Sequence, residues 1–269
     1  MVDVNALFAE FAALPQVESI ALGGSRACER NDEKSDYDVY VYLNGEVPEK
    51  QRIGILSKYC SRMEINNRFW ETEDDVTLND GIDMDIIYRR LGDFEQDIAS
   101  VVTEFRPRNG YTTCMWHNLI HSKIIADKHG LFQALQEKYR IPYPPTLKKN
   151  IVKNNMALLS GNLPSYDGQI KKAEDRGDLV SVNHRVAEFL ASYFDILFAL
   201  NEMTHPGEKR MQSICAQECR YLPNDFDENL NDLFKGMFVG NAAKTISRIV
   251  EELKKLLNNL GWENREYPR

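Results

Sequence analysis

Apolar positions change their period along this chain. Val4, Leu7, Phe8, Phe11 and Leu14 recur every three or four residues, which predicts an amphipathic helix over 3–14, ended by Pro15. The period then drops to two. Residues 17–22, 37–43 and 81–88 read as strands from their alternation and their β-branched content. Between the second and third strands, 49–70 reads as mostly helical, with Ile53, Leu56 and Tyr59 on one face. Residues 71–81 read as an acidic loop closed by the turn Asn79-Asp80-Gly81. Residues 93–106 read as helix, 111–129 as an apolar-rich segment, and a further helix reaches about Tyr139. The resulting order, α-β-α-β-α-β-α-α, belongs to the α/β or α+β class.

Ile141-Pro142-Tyr143-Pro144-Pro145 cannot continue a helix and reads as a linker. Beyond it strand signals almost vanish. Stretches 148–159, 165–176, 179–202, 208–219, 226–238 and 242–260 all carry helical periodicity. The longest places Val182, Val186, Phe189, Leu190, Tyr193, Phe194 and Leu197 at helical spacing, as the central helix of a bundle does. The expected architecture is α+β: an α/β domain with a small mixed sheet over 1–143, and an all-helical bundle over 144–269.

Composition narrows the function classes. The 269 residues are 28% charged, as in a soluble globular chain, and no apolar run is long enough to span a membrane. Met1 to Asn5 lack the basic and apolar regions of a secretory leader, so a cytoplasmic location is expected. Acidic residues outnumber basic ones 41 to 33, for a net charge of −8. That balance argues against a general nucleic-acid binder and suits a small, even cationic, substrate. Five cysteines, at 28, 60, 114, 215 and 219, are read as buried thiols rather than a disulfide framework. Cys215 and Cys219 are four apart on a predicted helix but lack further metal ligands nearby.

The candidate chemistry lies at the first two strands. Gly23-Gly24-Ser25-Arg26-Ala27 follows the first, and Asp36 and Asp38 sit two residues apart at the start of the second. Strand side chains alternate, so the two carboxylates share a face, where they repel each other unless a cation lies between them. Asp83 and Asp85 share a face of the third strand and can bring a third carboxylate to the same cluster. Three carboxylates around two divalent ions serve phosphoryl and nucleotidyl transfer. Glycines let backbone N–H groups approach phosphate oxygens closely, and Ser25 and Arg26 add side-chain donors. A GGS turn alone is common punctuation, and a lone Asp-x-Asp is a solvated strand edge. The joint pattern is different, because the apolar neighbours Val39, Val41, Ile86 and Ile87 make unpaired carboxylates costly.

Gly23-Gly24-Ser25, ten intervening residues, Asp36-x-Asp38 and a later strand bearing Asp85 resemble the nucleotidyltransferase superfamily that includes DNA polymerase beta. Within it the chain looks most like bacterial lincosamide and aminoglycoside nucleotidyltransferases and related uncharacterised domains. Phe198-Ala199-Leu200-Asn201 and His205-Pro206-Gly207-Glu208-Lys209-Arg210 resemble part of their helical domain. The resemblance implies a Mg²⁺-dependent enzyme, with two ions, that moves AMP or another NMP from a nucleoside triphosphate to a hydroxyl of a small molecule and releases pyrophosphate. It implies Gly24, Ser25 and Arg26 at the triphosphate, and Asp36, Asp38 and Asp85 as catalytic metal ligands. Asp85 is the first candidate for general base and Asp83 the second. Lys209 is implied at phosphate and Asn201 at nucleotide or acceptor, against their simpler readings as a solvated lysine and a helix cap. An antibiotic acceptor, and with it antibiotic resistance, is one expectation. Transfer to protein or RNA, as in toxin-type enzymes, is an alternative, as is a nucleotide-binding regulator or antitoxin without turnover. The chain is expected to be a monomer or a homodimer, away from membranes and nucleic acid.

Other features have simpler readings. His117 and His121, with Cys114 one turn earlier, are read as core or surface side chains rather than a zinc site. The acidic run 71–75 is read as a solvated loop, or as the wall of an acceptor pocket that attracts a cation. Trp70, Trp116 and Tyr193 are read as packing residues.

Overall fold

The computed structural model describes residues 2–27 and 35–262. In chain order the elements are α1 (Val4–Ala12), β1 (Val17–Leu22), the single turn α2 (Gly24–Ala27), β2 (Tyr37–Leu43), α3 (Glu49–Leu56), β3 (Cys60–Asn67), β4 (Thr72–Leu78), β5 (Asp83–Arg90), α4 (Leu91–Val102), α5 (Cys114–His121), β6 (Lys123–Asp127) and α6 (Leu131–Tyr139). There follow α7 (Pro145–Leu159), α8 (Tyr166–Asp175), α9 (Leu179–Leu200), α10 (Met211–Glu218), α11 (Phe226–Gly236) and α12 (Ala242–Asn259). The described residues fall into two compact units, one within Met1–Ala99 and Met115–Ile141, the other within Ser100–Cys114 and Pro142–Arg269. Residues 100–114, read from the sequence as part of the first domain, thus pack with the second.

The first unit is built on a six-stranded sheet in the order β3-β4-β5-β2-β1-β6. β2 and β5 pair in parallel, and the other neighbours pair antiparallel. One face carries Val39, Val41, Val76, Leu78, Met84 and Ile86, which form a core with Leu7, Phe8 and Phe11 of α1 and Ile55 and Leu56 of α3. Each such side chain contributes roughly 1.5–3 kcal/mol by leaving water. The Asp3 side chain caps α1 by accepting from the Ala6 amide.

Three strands depart from the sequence reading. The helix expected over 49–70 ends at Leu56, and β3 follows it. The expected acidic loop is β4, with its odd and even residues on opposite faces. Asp74, on the core-facing side, is fully buried. It accepts hydrogen bonds from Arg52 of α3, from the Asn66 amide at 2.8 Å and from the Tyr88 hydroxyl at 2.8 Å. Burial, and next the Asp74 charge, push the Tyr88 phenol well above its ordinary value, so it stays a donor. β6, a short edge strand inside the apolar-rich segment, was also unexpected. Trp70 is not a packing residue. It stands 89% exposed beside exposed Phe69 between β3 and β4, whereas Trp116 and Tyr193 are buried.

The second unit is all helical. α9 has its N-terminus capped by the Asp178 side chain, and its last ten residues, 191–200, are buried all round. α7 and α8 pack on it, and α11 and α12 on each other. A buried polar network explains why 105–113 belongs here. Asp195 of α9 accepts from the Thr112 amide and hydroxyl and from Asn155 Nδ2 of α7, while Asn155 Oδ1 accepts from the Gly110 amide. Gly110 has φ +89°, and a Cβ there would lie 2.8 Å from the Ala191 Cβ. Burial pushes the Asp195 carboxyl up to about 6 against these donors.

His205 is fully buried, and its ring packs against those of Tyr111 and Phe198. The Gly207 amide donates to its Nδ1 at 3.1 Å, which places the ring proton on Nε2. Burial lowers its pKa to about 3. The unfolded chain protonates this imidazole below about pH 6.5 and the folded chain does not, so the stabilisation is complete above that pH and is lost as pH falls toward 3. The loss is worth up to about 5 kcal/mol. His205→Asn keeps an acceptor for Gly207 and removes the titration. Its urea midpoint is expected to fall less than that of the parent chain between pH 7 and pH 4.

No helix among the described residues is long and apolar enough to cross a membrane. Cys60 and Cys215 are buried, and Cys114 and Cys219 are partly buried. Cys28 lies outside the described residues.

Candidate active site

The face of the sheet opposite the α1–α3 core carries the carboxylates. The parallel β2·β5 register sets Asp38 opposite Asp85. Antiparallel pairing sets Asp85 opposite Asp75, and Asp75 opposite Glu64. Paired residues project from the same side of a sheet, so one row reads Asp38, Asp85, Asp75, Glu64 across four strands. A neighbouring row runs through Asp83, Thr77 and Arg62. A cavity of about 340 Å³ opens over Asp85, Asp75 and Glu64 of the first row and Asp83, Thr77 and Arg62 of the second, with Asp36 also on its wall and Asp38 outside its lining. The Thr77 hydroxyl donates to Asp83 at 2.7 Å, and Asn67 Nδ2 to Asp75 at 2.9 Å. One position further along, burial, and then the charges of Asp75, Asp85 and Glu71, raise the Glu73 carboxyl above its usual range.

The glycine turn fits against this face by close approach. The Gly23 amide donates to the Asp38 carbonyl at 2.8 Å. Gly24 has φ +61°, and a Cβ there would lie 1.8 Å from Asp38 Oδ2; one on Gly23 would lie 2.4 Å from Tyr40 Cε2. A Cβ at either position would thus force Asp38 or Tyr40, successive side chains on one face of β2, or the turn itself to move. α2 starts at Gly24 and contains Ser25.

Arg26 is placed differently from a free phosphate donor. Its guanidinium donates to the Ser35 and Asp36 carbonyls and lies 3.8 Å above the Tyr37 ring, pinning the entry to β2. Asn201 is also occupied. Its Nδ2 donates to the Leu197 and Tyr221 carbonyls and its Oδ1 accepts from the Tyr221 amide, so it ends α9 and anchors residue 221. Lys209 is exposed ahead of α10. Asn201 and Lys209 belong to the second unit, and Asp36, Asp38, Asp83 and Asp85 to the first.

Sequence reading missed Glu64 and had Asp75 only within the acidic run 71–75, a loop or pocket wall, because each lies on a strand it did not foresee. The available signal was the alternation of Met63 with Ile65 and of Val76 with Leu78 around them. His117 and His121 stack with ring centroids 4.0 Å apart on α5.

Among the described residues, no group of three or more His, Cys, Asp or Glu is arranged tightly enough to hold a metal ion as it stands. The carboxylates have the donor chemistry of a hard divalent cation nonetheless: Asp36, Asp75, Asp83, Asp85 and Glu64 bring oxygen atoms to one cavity, whose wall also carries Arg62, paired with Glu64 at 2.7 Å.

Residues 4–108 match the family model of the nucleotidyltransferase domain, so this part of the chain carries that domain. The match covers all the strands of the sheet except β6, together with the glycine turn and the carboxylate rows. Two solved structures align with nearly the whole chain. One is a nucleotidyltransferase-like protein from Exiguobacterium sibiricum, 12% identical with TM-score 0.44, covering 98% of this chain and 76% of that one. The other is an aminoglycoside 6-adenyltransferase from Bacillus subtilis, 13% identical with TM-score 0.33, covering 97% of this chain and 92% of that one. No curated protein matches the chain.

Proposed function

We propose that this nucleotidyltransferase moves a nucleoside monophosphate, AMP in the first instance, from its triphosphate to a hydroxyl of a small molecule. The observation that supports this most is the register that sets Asp38 opposite Asp85 while the Asp38 carboxylate abuts Gly24. The acceptor oxygen bonds to the α-phosphorus, the bond to the β-phosphate breaks, and pyrophosphate leaves. Asp36, Asp38 and Asp85 would hold Mg²⁺. When bound, Mg²⁺ supplies charge neutralisation on the triphosphate and acidifies the acceptor hydroxyl. Asp85, with Asp83 as the second candidate, accepts the hydroxyl proton. The backbone of Gly24 and Ser25 receives the phosphates. The carboxylates of Asp75 and Glu64 along the cavity favour a neutral or cationic acceptor, an aminoglycoside-type antibiotic among them, over a polyanion such as RNA.

Incubation with α-labelled ATP, Mg²⁺ and a panel of hydroxylated acceptors tests this reading. Label is expected on a small molecule, with one pyrophosphate released per transfer. Asp38→Asn and Asp85→Asn are each expected to slow transfer roughly 10²- to 10⁴-fold. Undiminished transfer in both variants contradicts the assignment.

A further inference from the structure

We propose that Arg89 is a positioning residue for the glycine turn, acting through Tyr40 and Asn118; the inference rests on the nucleotidyl-transfer reading of that turn. Arg89 lies on the same face of β5 as Asp85, four residues further along. Glu71 grips its guanidinium with two parallel hydrogen bonds, at 2.7 Å to Nε and 2.6 Å to Nη2. Such a fork fixes both the position and the plane of the group. The Arg89 side chain is only 11% exposed, so a lost partner is poorly replaced by water.

The fixed plane faces aromatic rings. The guanidinium carbon lies 4.5 Å from the centroid of Tyr40 and 5.2 Å from that of Phe94, within cation–π range. A third arm of Arg89 reaches Asn118 Oδ1 at 3.5 Å, and the Asn118 side chain also hydrogen-bonds the Tyr40 hydroxyl. Tyr40 and Asn118 then close on Gly23 together. A Cβ on Gly23 would meet Tyr40 Cε2 at 2.4 Å and Asn118 Nδ2 at 3.3 Å. The Gly23 amide also donates a hydrogen bond to the Asp38 carbonyl. The Glu71 clamp therefore sets the depth of the Tyr40 ring, and the ring sets the turn that leads into Gly24 and its contact with Asp38. Every member of this chain of contacts lies in the first unit.

The test uses the full chain with Arg89→Lys, Arg89→Met, Tyr40→Leu, Glu71→Gln and the double variant Arg89→Met/Tyr40→Leu. Arg89→Lys keeps the charge and loses the fork. It is expected to weaken MgATP binding, read by calorimetry, roughly tenfold, as loss of a supporting partner behind a binding group does. Glu71→Gln, the mildest change, is expected to weaken it in the same direction. In the double variant the loss is expected not to exceed that of the worse single variant, because both act through one ring. Exchange of the Gly23 amide is expected to quicken in Arg89→Met while amides of α1 keep their protection. Unchanged Gly23 exchange and unchanged MgATP affinity in the folded Arg89 variants overturn the proposal, as does full additivity in the double variant. Absence of MgATP binding in the parent chain overturns the nucleotidyl-transfer reading instead, and Gly23 exchange still decides the positioning role.

Discussion

Gly24→Ala is expected to lower the rate of nucleotidyl transfer by at least about 100-fold. Two costs add at this position. An L-residue at φ +61° carries roughly 1–2 kcal/mol of strain. The new methyl would also sit 1.8 Å from Asp38 Oδ2 and 2.7 Å from its Cγ, inside van der Waals contact, so either the turn or the carboxylate must move. A displacement of about 1 Å among reacting groups costs on the order of 10²-fold. Gly81→Ala is the control. Gly81 has φ +87°, and nothing lies within 4 Å of its would-be Cβ, so this variant carries the backbone strain without the overlap. Label transfer and Tm are measured for both. A Tm shift in Gly24→Ala at least as large as that in Gly81→Ala, with loss of transfer only in Gly24→Ala, is expected. Parent-like transfer in Gly24→Ala means that the approach of Gly24 to Asp38 is no part of the working site.

The largest effect on stability is expected at Asp74. Asp74→Ala leaves the Arg52 guanidinium buried, with its side chain only 5% exposed, and removes the acceptor for the Asn66 amide and the Tyr88 hydroxyl. Breaking a buried pair from one side costs about 3–5 kcal/mol. Replacing both partners with apolar groups of similar size, as in Arg52→Met/Asp74→Leu, is expected to recover much of that loss, since the paired charges are themselves costly to desolvate. Urea unfolding of the three chains, followed by fluorescence, provides the comparison. A double variant no more stable than Asp74→Ala contradicts this account.

These two positions also show what a linear sequence can and cannot convey. β1, β2 and β5 were legible because their core-facing residues are aliphatic and their polar ones alternate with them. The helices of the second unit were legible because apolar residues recur at helical spacing over long stretches and Pro142, Pro144 and Pro145 mark where the first unit ends. β4 was not legible. The first buried residue of its core-facing series is Asp74, and an aspartate belongs in a core only when partners such as Arg52 and Tyr88 are there to meet it. Those partners lie 22 residues before it and 14 after it. β3 was masked by Arg62, Glu64 and two asparagines at a sheet edge, where one side of the ladder faces no strand. The Asp36, Asp38 and Asp85 grouping was visible as a spacing, but the extension of the row to Asp75 and Glu64 depends on β4 and β3 pairing in that register. Likewise, the sequence marks Gly23 and Gly24 as a turn, while the close approach that a side chain there would disturb is the reach of Tyr40 and Asp38 from another strand.

The position of β3 and β4 has an evolutionary consequence. They form a hairpin at the margin of the sheet, joined to its other strands along β5 alone. Glu64 and Asp75 are carried by this hairpin, whereas Asp36, Asp38 and the glycine turn are not. As long as Asp74 keeps its bond to Arg52, Glu71 keeps its fork on Arg89 and the register with β5 is held, the other outward residues of the hairpin and the exposed tip at Phe69 and Trp70 are free to vary. Under the proposed function, a lineage built this way can change the molecules it accepts while its phosphate chemistry stays fixed, provided Glu71 in the hairpin keeps its hold on Arg89.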